Sequence, residues 1–343
     1  MSHPEPSSDN VVMLPFVATR RAASEPAVGR FGRLLGGCPE MRDVYQRIAK
    51  VAPTSATVLI TGESGSGKDV VAETIHAMSA RAARPFVALN CGALPRNLIE
   101  AELFGYERGA FTGAERMHRG AFERANGGTL FLDEIAEMAP DMQVRLLRVL
   151  ETGRYTRVGG ERELQAAARV VAATNRDPRR AVREGLLRDD LLYRLAVFPI
   201  AVPPLREREG DVEMLAEHFL RELNATEGTQ KYFTPAARAL FLAHPWPGNV
   251  RELKNAVQRA FILSDERIDF ENSGHEHAAS ARPCLTVPVG TALAQIEKQA
   301  ICLTLDACNG DKRHCAELLG ISLKTLYNRL AAYHAATAAS ATR

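Results

Sequence analysis

The residues with the clearest capacity for chemistry begin with the run GESGSGKD at 62–69. Gly62, Gly65 and Gly67 let a backbone curl until its amides converge, and Lys68 closes the run with a positive charge. Glu63, Ser64 and Ser66 fill the positions between, and Asp69 stands where a Ser or Thr hydroxyl commonly meets Mg²⁺. Placed between a strand and a helix, such a loop favours bound phosphate, because free N–H groups and the helix dipole both attract anions. About 65 residues further on, GGTLFLDEI (127–135) ends an apolar run in two adjacent acids. Asp133 is suited to hold Mg²⁺ through its waters, and Glu134 to polarise an attacking water. Each motif alone has a plainer reading, a glycine-rich turn or a solvated strand end. Together, in one α/β domain, they predict ATP hydrolysis with Lys68 reaching the β- and γ-phosphates.

These groups need a scaffold, and short apolar runs supply it. TVLITG (57–62), FVALNC (86–91), TLFLDEI (129–135), ARVVAATN (168–175) and FPIAVP (198–203) alternate with helical stretches. Near-continuous apolar strands of this kind predict a parallel sheet covered on both faces. Open α/β sheets collect ligands at the carboxyl ends of their strands. Asn90 ends FVALN, and Thr174 with Asn175 ends VVAATN. These either cap the following turns or sense a γ-phosphate, and both readings stand at this point. From 206 to 270 the pattern turns wholly helical, with a Thr234 cap before Pro235 and a helix over 249–263. The expected organisation is a poorly ordered tail (1–30), an α/β subdomain (31–205), a helical subdomain (206–270), a linker (271–290) and a helical C-terminal domain (291–343). No folded sensory domain of usual size is expected ahead of the first strand.

Composition narrows the setting. The 343 residues are 46% hydrophobic and 24% charged, with a net charge of +2, so any nucleic-acid surface must be local. Six cysteines form no CxxC pair, and no long apolar run or signal peptide is present. A reduced, cytoplasmic protein with no membrane partner is expected. Cys302, Cys308 and Cys315, with His275, His277 and Cys284 before them, match no common zinc spacing and read as buried or incidental residues.

One segment sits apart from these patterns. In ELFGYERGAFTGAERMHRG (102–120), Phe111 stands among Gly109, Ala110, Thr112, Gly113 and Ala114. An apolar tip on a glycine hinge is unfavourable unless something receives it, and the other reading is that Phe111 folds back on its own domain. Near the C-terminus, DKRHCAELLGISLKTLYNRLAAY (311–333) has Ala316, Gly320 and Leu326 at helix-turn-helix spacing. Ser322 would cap the second helix, with Lys324, Thr325, Asn328 and Arg329 facing phosphates and base edges. Plain helix packing is equally compatible with that spacing alone. Leu293, Ile296, Ala300, Leu303 and Leu305 on the preceding helix suggest a dimer face and paired half-sites on DNA.

ESGSGKD, ELFGYERGAFTGA, GGTLFLDE, PPLRER and WPGNVREL, in this order, resemble the sigma-54-dependent transcriptional activators, bacterial enhancer-binding proteins of the AAA+ ATPase family. In that family an acid commonly follows the P-loop lysine, as Asp69 does here. The resemblance implies an AAA+ parallel sheet with a helical lid, plus a Fis-type helix-turn-helix domain. It implies that Asn90 switches Glu134 between engaged and disengaged states, that Thr174 and Asn175 act as a first sensor, and that Arg251 is a second. Arg188 and Arg194 become candidate arginine fingers acting on a neighbouring subunit; otherwise they belong to an exposed helix face shared with Asp189 and Asp190. The family's GAFTGA loop rises and falls with nucleotide state and contacts sigma-54, and a second loop around 154–163 would move with it. Implied partners are enhancer DNA, the sigma-54 RNA polymerase holoenzyme and further copies from dimer to hexameric ring; with no sensory domain expected, regulation by a regulatory protein in trans, by a partner activator or by expression level stands open. A regulator that represses or activates the ordinary polymerase with a vestigial ATPase, and a general AAA+ remodeller, are the rival readings; the GAFTGA loop and the paired Asp133–Glu134 speak against the first and the helix-turn-helix against the second.

Overall fold

The structure is a computed structural model that describes residues 29–93, 95–270, 291–308 and 311–330. The chain divides into two compact units, Met1–Ser273 and Gly274–Arg343.

The first unit is built on five parallel strands: β1 (Val58–Thr61), β2 (Phe86–Asn90), β3 (Thr129–Asp133), β4 (Arg169–Thr174) and β5 (Phe198–Ala201). Their spatial order is β5-β1-β4-β3-β2. All five expected strands form, each shorter than its apolar run. Alternate residues face opposite sides. Val58, Ile60, Val171, Ala173 and Ile200 share one core with helices α1 (Pro39–Val51) and α2 (Lys68–Ala77). Leu59, Leu89, Leu130, Leu132 and Ala172 share the other with α3 (Arg96–Phe104), α4 (Pro140–Thr152) and α5 (Asp189–Leu195). Burial on both faces explains why the strands read as solid apolar runs rather than alternating ones.

Register aligns the polar strand ends. Asn90 pairs with Asp133 across β2 and β3, and Thr174 pairs with Thr61 across β4 and β1. The Cys91 amide donates to the Asp133 carbonyl, and the Gly62 amide to that of Thr174 (2.9 and 3.3 Å). Four strands therefore deliver their last residues to one edge.

The helical subdomain comprises α6 (Asp211–Glu227), α7 (Pro235–Ala243) and α8 (Asn249–Leu263) around Leu215, Phe233, Phe241, Trp246, Leu253 and Val257. The Thr234 hydroxyl caps α7 by accepting from the Ala237 amide, a bond of the kind worth about 1 kcal/mol. The region is not wholly helical, contrary to its sequence pattern. Tyr232–Phe233 and Arg267–Ile268 form a short parallel pair. Two-residue strands are too short to show periodicity. Arg30, assigned to the tail from sequence, pairs with Leu35 in a small hairpin.

The second unit contains α9 (Leu293–Ala307), α10 (Lys312–Leu319) and a further helical stretch over 323–330. Ile301, Cys315, Ala316 and Leu326 form its core. Gly320 ends α10 in the left-handed conformation, at φ +64°, as the turn position requires. No helix among the described residues is long and apolar enough to cross a membrane. The expected linker lies outside the described residues, as do His275, His277 and Cys284.

Candidate nucleotide site and the loops around it

The phosphate-loop glycines are needed where they stand. Gly65 (φ +75°) and Gly67 (φ +98°) take left-handed conformations, and a Cβ on Gly65 would collide with the Gly248 carbonyl oxygen. The loop curls around Lys68, whose ammonium donates to the Gly62 and Glu63 carbonyls (2.8 and 3.0 Å). Burial lowers the Lys68 pKa, against the opposing pull of Asp133 and Glu134. Asp69 is exposed on the first turn of α2. Ser66 is buried, and its hydroxyl has no hydrogen-bond partner.

Asp133 closes β3, and its Oδ1 accepts from the Glu134 amide (2.9 Å). Burial raises its pKa, while that bond and Lys68 lower it. A half-buried carboxylate facing an ammonium, with Asp69 nearby, is a hard-oxygen donor set that fits Mg²⁺. Glu134 takes a left-handed backbone (φ +53°), uncommon for a residue with a side chain and of the kind found at functional sites. A Cβ on Gly92 would lie 2.5 Å from Glu134 Oε2, so this carboxylate rests over the turn after β2. Asn90 builds that turn: its Oδ1 accepts the amides of Gly92 and Ala93 (2.8 and 2.9 Å). The link from Asn90 to Glu134 thus runs through the turn. Thr174 is buried, its hydroxyl accepting from the Arg176 amide (3.1 Å), while Asn175 is exposed at the strand end.

The helical subdomain reaches the same loop. Arg251 donates through Nη1 to the Ser64 hydroxyl (3.0 Å). Sequence reading picked Arg251 out of WPGNVREL and passed over Asn249, which is fully buried at φ +56°. It also passed over Arg206 and Arg208 in PPLRER. The Arg206 guanidinium binds Glu63 through both nitrogens (2.7 and 2.8 Å), and Arg208 donates to the Ser66 carbonyl (2.7 Å). Hydrogen bonding to Arg206 and Asn249 lowers the Glu63 pKa. An Asn directly after a Gly at a helix start was the available signal, since Asn tolerates left-handed backbone.

Arg188 and Arg194 do not join this site within the chain. Arg188 forms a two-point pair with Asp190 (3.0 and 2.7 Å), and Arg194 donates to the Leu150 carbonyl (3.1 and 2.8 Å). Both are exposed, as is Tyr193 of the same helix.

The GAFTGA loop is a tight turn closed by the Gly109 amide on the Ala114 carbonyl (2.8 Å) and the Ala114 amide on that of Phe111 (3.0 Å). Phe111 is 43% exposed. It has one aromatic neighbour that its small flanking residues did not suggest: Tyr106, met edge-on with centroids 4.9 Å apart. Tyr106 and His118 sit opposite each other in the hairpin that carries the loop. The second loop touches the first directly. The Glu107 amide donates to the Val158 carbonyl and the Val158 amide to that of Gly105 (3.0 and 2.9 Å), and Arg157 pairs with both Glu107 and Glu123 (2.6 and 2.8 Å).

In the C-terminal unit, Lys324, Thr325, Asn328 and Arg329 are all exposed on the stretch after the turn. The Ser322 hydroxyl caps it by accepting from the Thr325 amide (3.1 Å). Arg329 pairs with Glu297 of α9 (3.0 Å), a contact within the domain. Leu293 and Leu303 are exposed, Ile296 and Ala300 half-buried, and Leu305 packs on the domain's own core rather than standing free. Cys38, Cys91 and Cys315 are buried, and no metal-binding cluster occurs among the described residues.

Comparison with known proteins matches three consecutive segments to described families. Residues 34–201 match the Sigma-54 interaction domain, 206–281 the AAA+ ATPase lid domain, and 292–333 the Fis family of bacterial regulatory proteins. The chain is 44% identical to the transcriptional regulatory protein FlbD of Caulobacter vibrioides, covering 86% of this chain and 69% of FlbD. It is 41% identical to the DNA-binding transcriptional regulator NtrC of Rhizobium meliloti, over 87% of this chain and 69% of NtrC. The crystal structure of NtrX from Brucella abortus in complex with ATP superposes with a TM-score of 0.66 at 34% identity, covering 89% of this chain and 70% of NtrX.

Proposed function

The chain belongs to the sigma-54-dependent transcriptional regulators, with an AAA+ ATPase domain and a Fis-type helix-turn-helix domain, and from that premise we propose that it hydrolyses ATP in a ring of copies to open promoters held by the sigma-54 RNA polymerase holoenzyme. What carries the reading is one juxtaposition: the phosphate loop and the Asp133–Glu134 edge share a domain with a loop whose aromatic tip is 43% exposed.

In this reading the loop amides and Lys68 bind the β- and γ-phosphates. Asp133 and Asp69 would hold Mg²⁺, which supplies charge neutralisation at the phosphate oxygens. Glu134 takes a proton from the attacking water, and Asn90 sets the turn on which the Glu134 carboxylate rests. Thr174 and Asn175 face the γ-phosphate from β4, and Arg251 contacts phosphate from the helical side. Arg188 and Arg194 leave their present partners to complete a neighbour's site, which makes turnover depend on assembly; fingers of this kind give about 10³–10⁵-fold. Phe111 and Thr112 then engage sigma-54, while Lys324, Thr325, Asn328 and Arg329 hold enhancer DNA. The site of action is the cytoplasm.

In vitro transcription from a sigma-54 promoter, with and without ATP, tests this directly. Open complexes should require both the chain and hydrolysable ATP. Glu134→Gln should retain ATP binding while hydrolysis falls by at least about 100-fold and open complexes vanish. ATP-independent activation, or undiminished turnover in that variant, would refute the assignment.

A further inference from the structure

The helical subdomain grips the phosphate loop at four successive residues. Glu63 is held by Arg206 and, through Oε2, by Asn249 Nδ2 (3.1 Å). The same Nδ2 donates to the Ser64 carbonyl (3.1 Å). The Arg251 amide donates to the Gly65 carbonyl (3.3 Å), and Arg208 to that of Ser66 (2.7 Å). Asn249 Oδ1 meanwhile accepts from the Leu205 amide (2.7 Å), which ties in the connector from β5. Asn249 is 0% exposed and sits in a strained left-handed backbone at the first position of α8. A buried amide with donor and acceptor both engaged fixes the groups it joins, since an unpaired partner left in the interior is costly.

We propose that Asn249 is a positioning residue of the phosphate loop, with Glu63 as its handle, so that the orientation of the helical subdomain and the affinity for the triphosphate form one equilibrium. The inference rests on residues 62–69 being the ATP site. A loop whose amides must converge on phosphate is preorganised by whatever holds its carbonyls on the other side. Release of the clamp makes ordering part of binding, so affinity falls while Lys68, Asp133 and Glu134 still supply the chemistry. By linkage, ATP must in turn stabilise the clamped subdomain.

The test uses the full chain, with binding of a fluorescent ATP analogue, steady-state kinetics, and hydrogen exchange of the loop amides in the nucleotide-free protein. Asn249→Ala should raise Kd and KM by about tenfold or more with kcat changed by less than about threefold. Asn249→Gly should do the same although it relieves the backbone, which separates side chain from strain. Asn249→Asp should be worse, since two carboxylates then face each other. Adding Glu63→Gln should recover part of that loss, because donor and acceptor are exchanged across that pair while the bond to the Ser64 carbonyl stays lost. Loop amides should exchange faster in Asn249→Ala. Unchanged KM, Kd and exchange in Asn249→Ala would overturn the proposal, as would equal loss of kcat and thermal stability with no recovery in the double variant. Lys68→Ala separates the two readings. If the unmodified chain binds ATP no better than Lys68→Ala, the ATP-site assignment fails and the clamp's role in binding goes with it; if it binds well and the Asn249 variants match it, only the clamp fails.

Discussion

Asp133 illustrates how a partly buried carboxylate opposes stability. Burial raises its pKa, so the charged form is penalised in the folded protein relative to the unfolded chain. A folded pKa raised above the unfolded value means that the favourable contribution is fully present below the unfolded pKa and is lost as pH rises through the folded one. At neutral pH the carboxylate therefore costs stability until a cation joins it. Asp133→Asn keeps the shape and the acceptor for the Glu134 amide. It should raise the nucleotide-free Tm at pH 7 by about 2 °C or more, with the gain gone below about pH 4, while ATP hydrolysis collapses. Thermal melts at the two pH values check the sign. The left-handed Glu134 beside it is a second local cost at the same strand end.

The two loops are tied to each other, and Arg157 is the side chain that joins them. Its guanidinium pairs with Glu107 below the GAFTGA turn and with Glu123, and the Val158 backbone bonds run alongside. Arg157 is largely buried, and hydrogen bonding to Glu123 raises its pKa. Isolated exposed ion pairs contribute little, but a buried guanidinium shared by two acids leaves unpaired charges when it is removed. Arg157→Ala should leave ATP turnover within about threefold of the parent and cut open-complex formation by at least about tenfold, since the tip is no longer braced. Equal loss of both activities in a coupled ATPase and transcription assay would show that the brace serves folding instead.

At the scale of the whole molecule, the ATPase domain and the helix-turn-helix domain lie in separate compact units. The ATPase unit carries its own cores and the C-terminal unit its own small one, around Ile301, Cys315, Ala316 and Leu326. Removing residues 291–343 should therefore abolish the footprint on enhancer DNA and leave ATP hydrolysis at high protein concentration. At low concentration that truncated form should lose turnover more steeply than the parent, because assembly no longer benefits from neighbours tethered on DNA. A concentration series of ATPase rates, read beside footprints, checks both halves.

Much of this was legible in the linear sequence, because certain chemistry demands fixed residue types at fixed spacing. A phosphate cradle needs Gly65 and Gly67 before Lys68, a buried parallel sheet needs solid apolar strands, and a helix-turn-helix needs Gly320 between Ala316 and Leu326. Local rules of backbone geometry and periodicity act within a few residues, so they leave a local trace. The strand order β5-β1-β4-β3-β2, the Tyr106 ring under Phe111, the short parallel pair at Tyr232 and Arg267, and the Asn249–Glu63 contact across 186 residues left none. Those were decided only when distant segments met, where a hydrogen bond or an edge-on ring depends on the packing of every layer between.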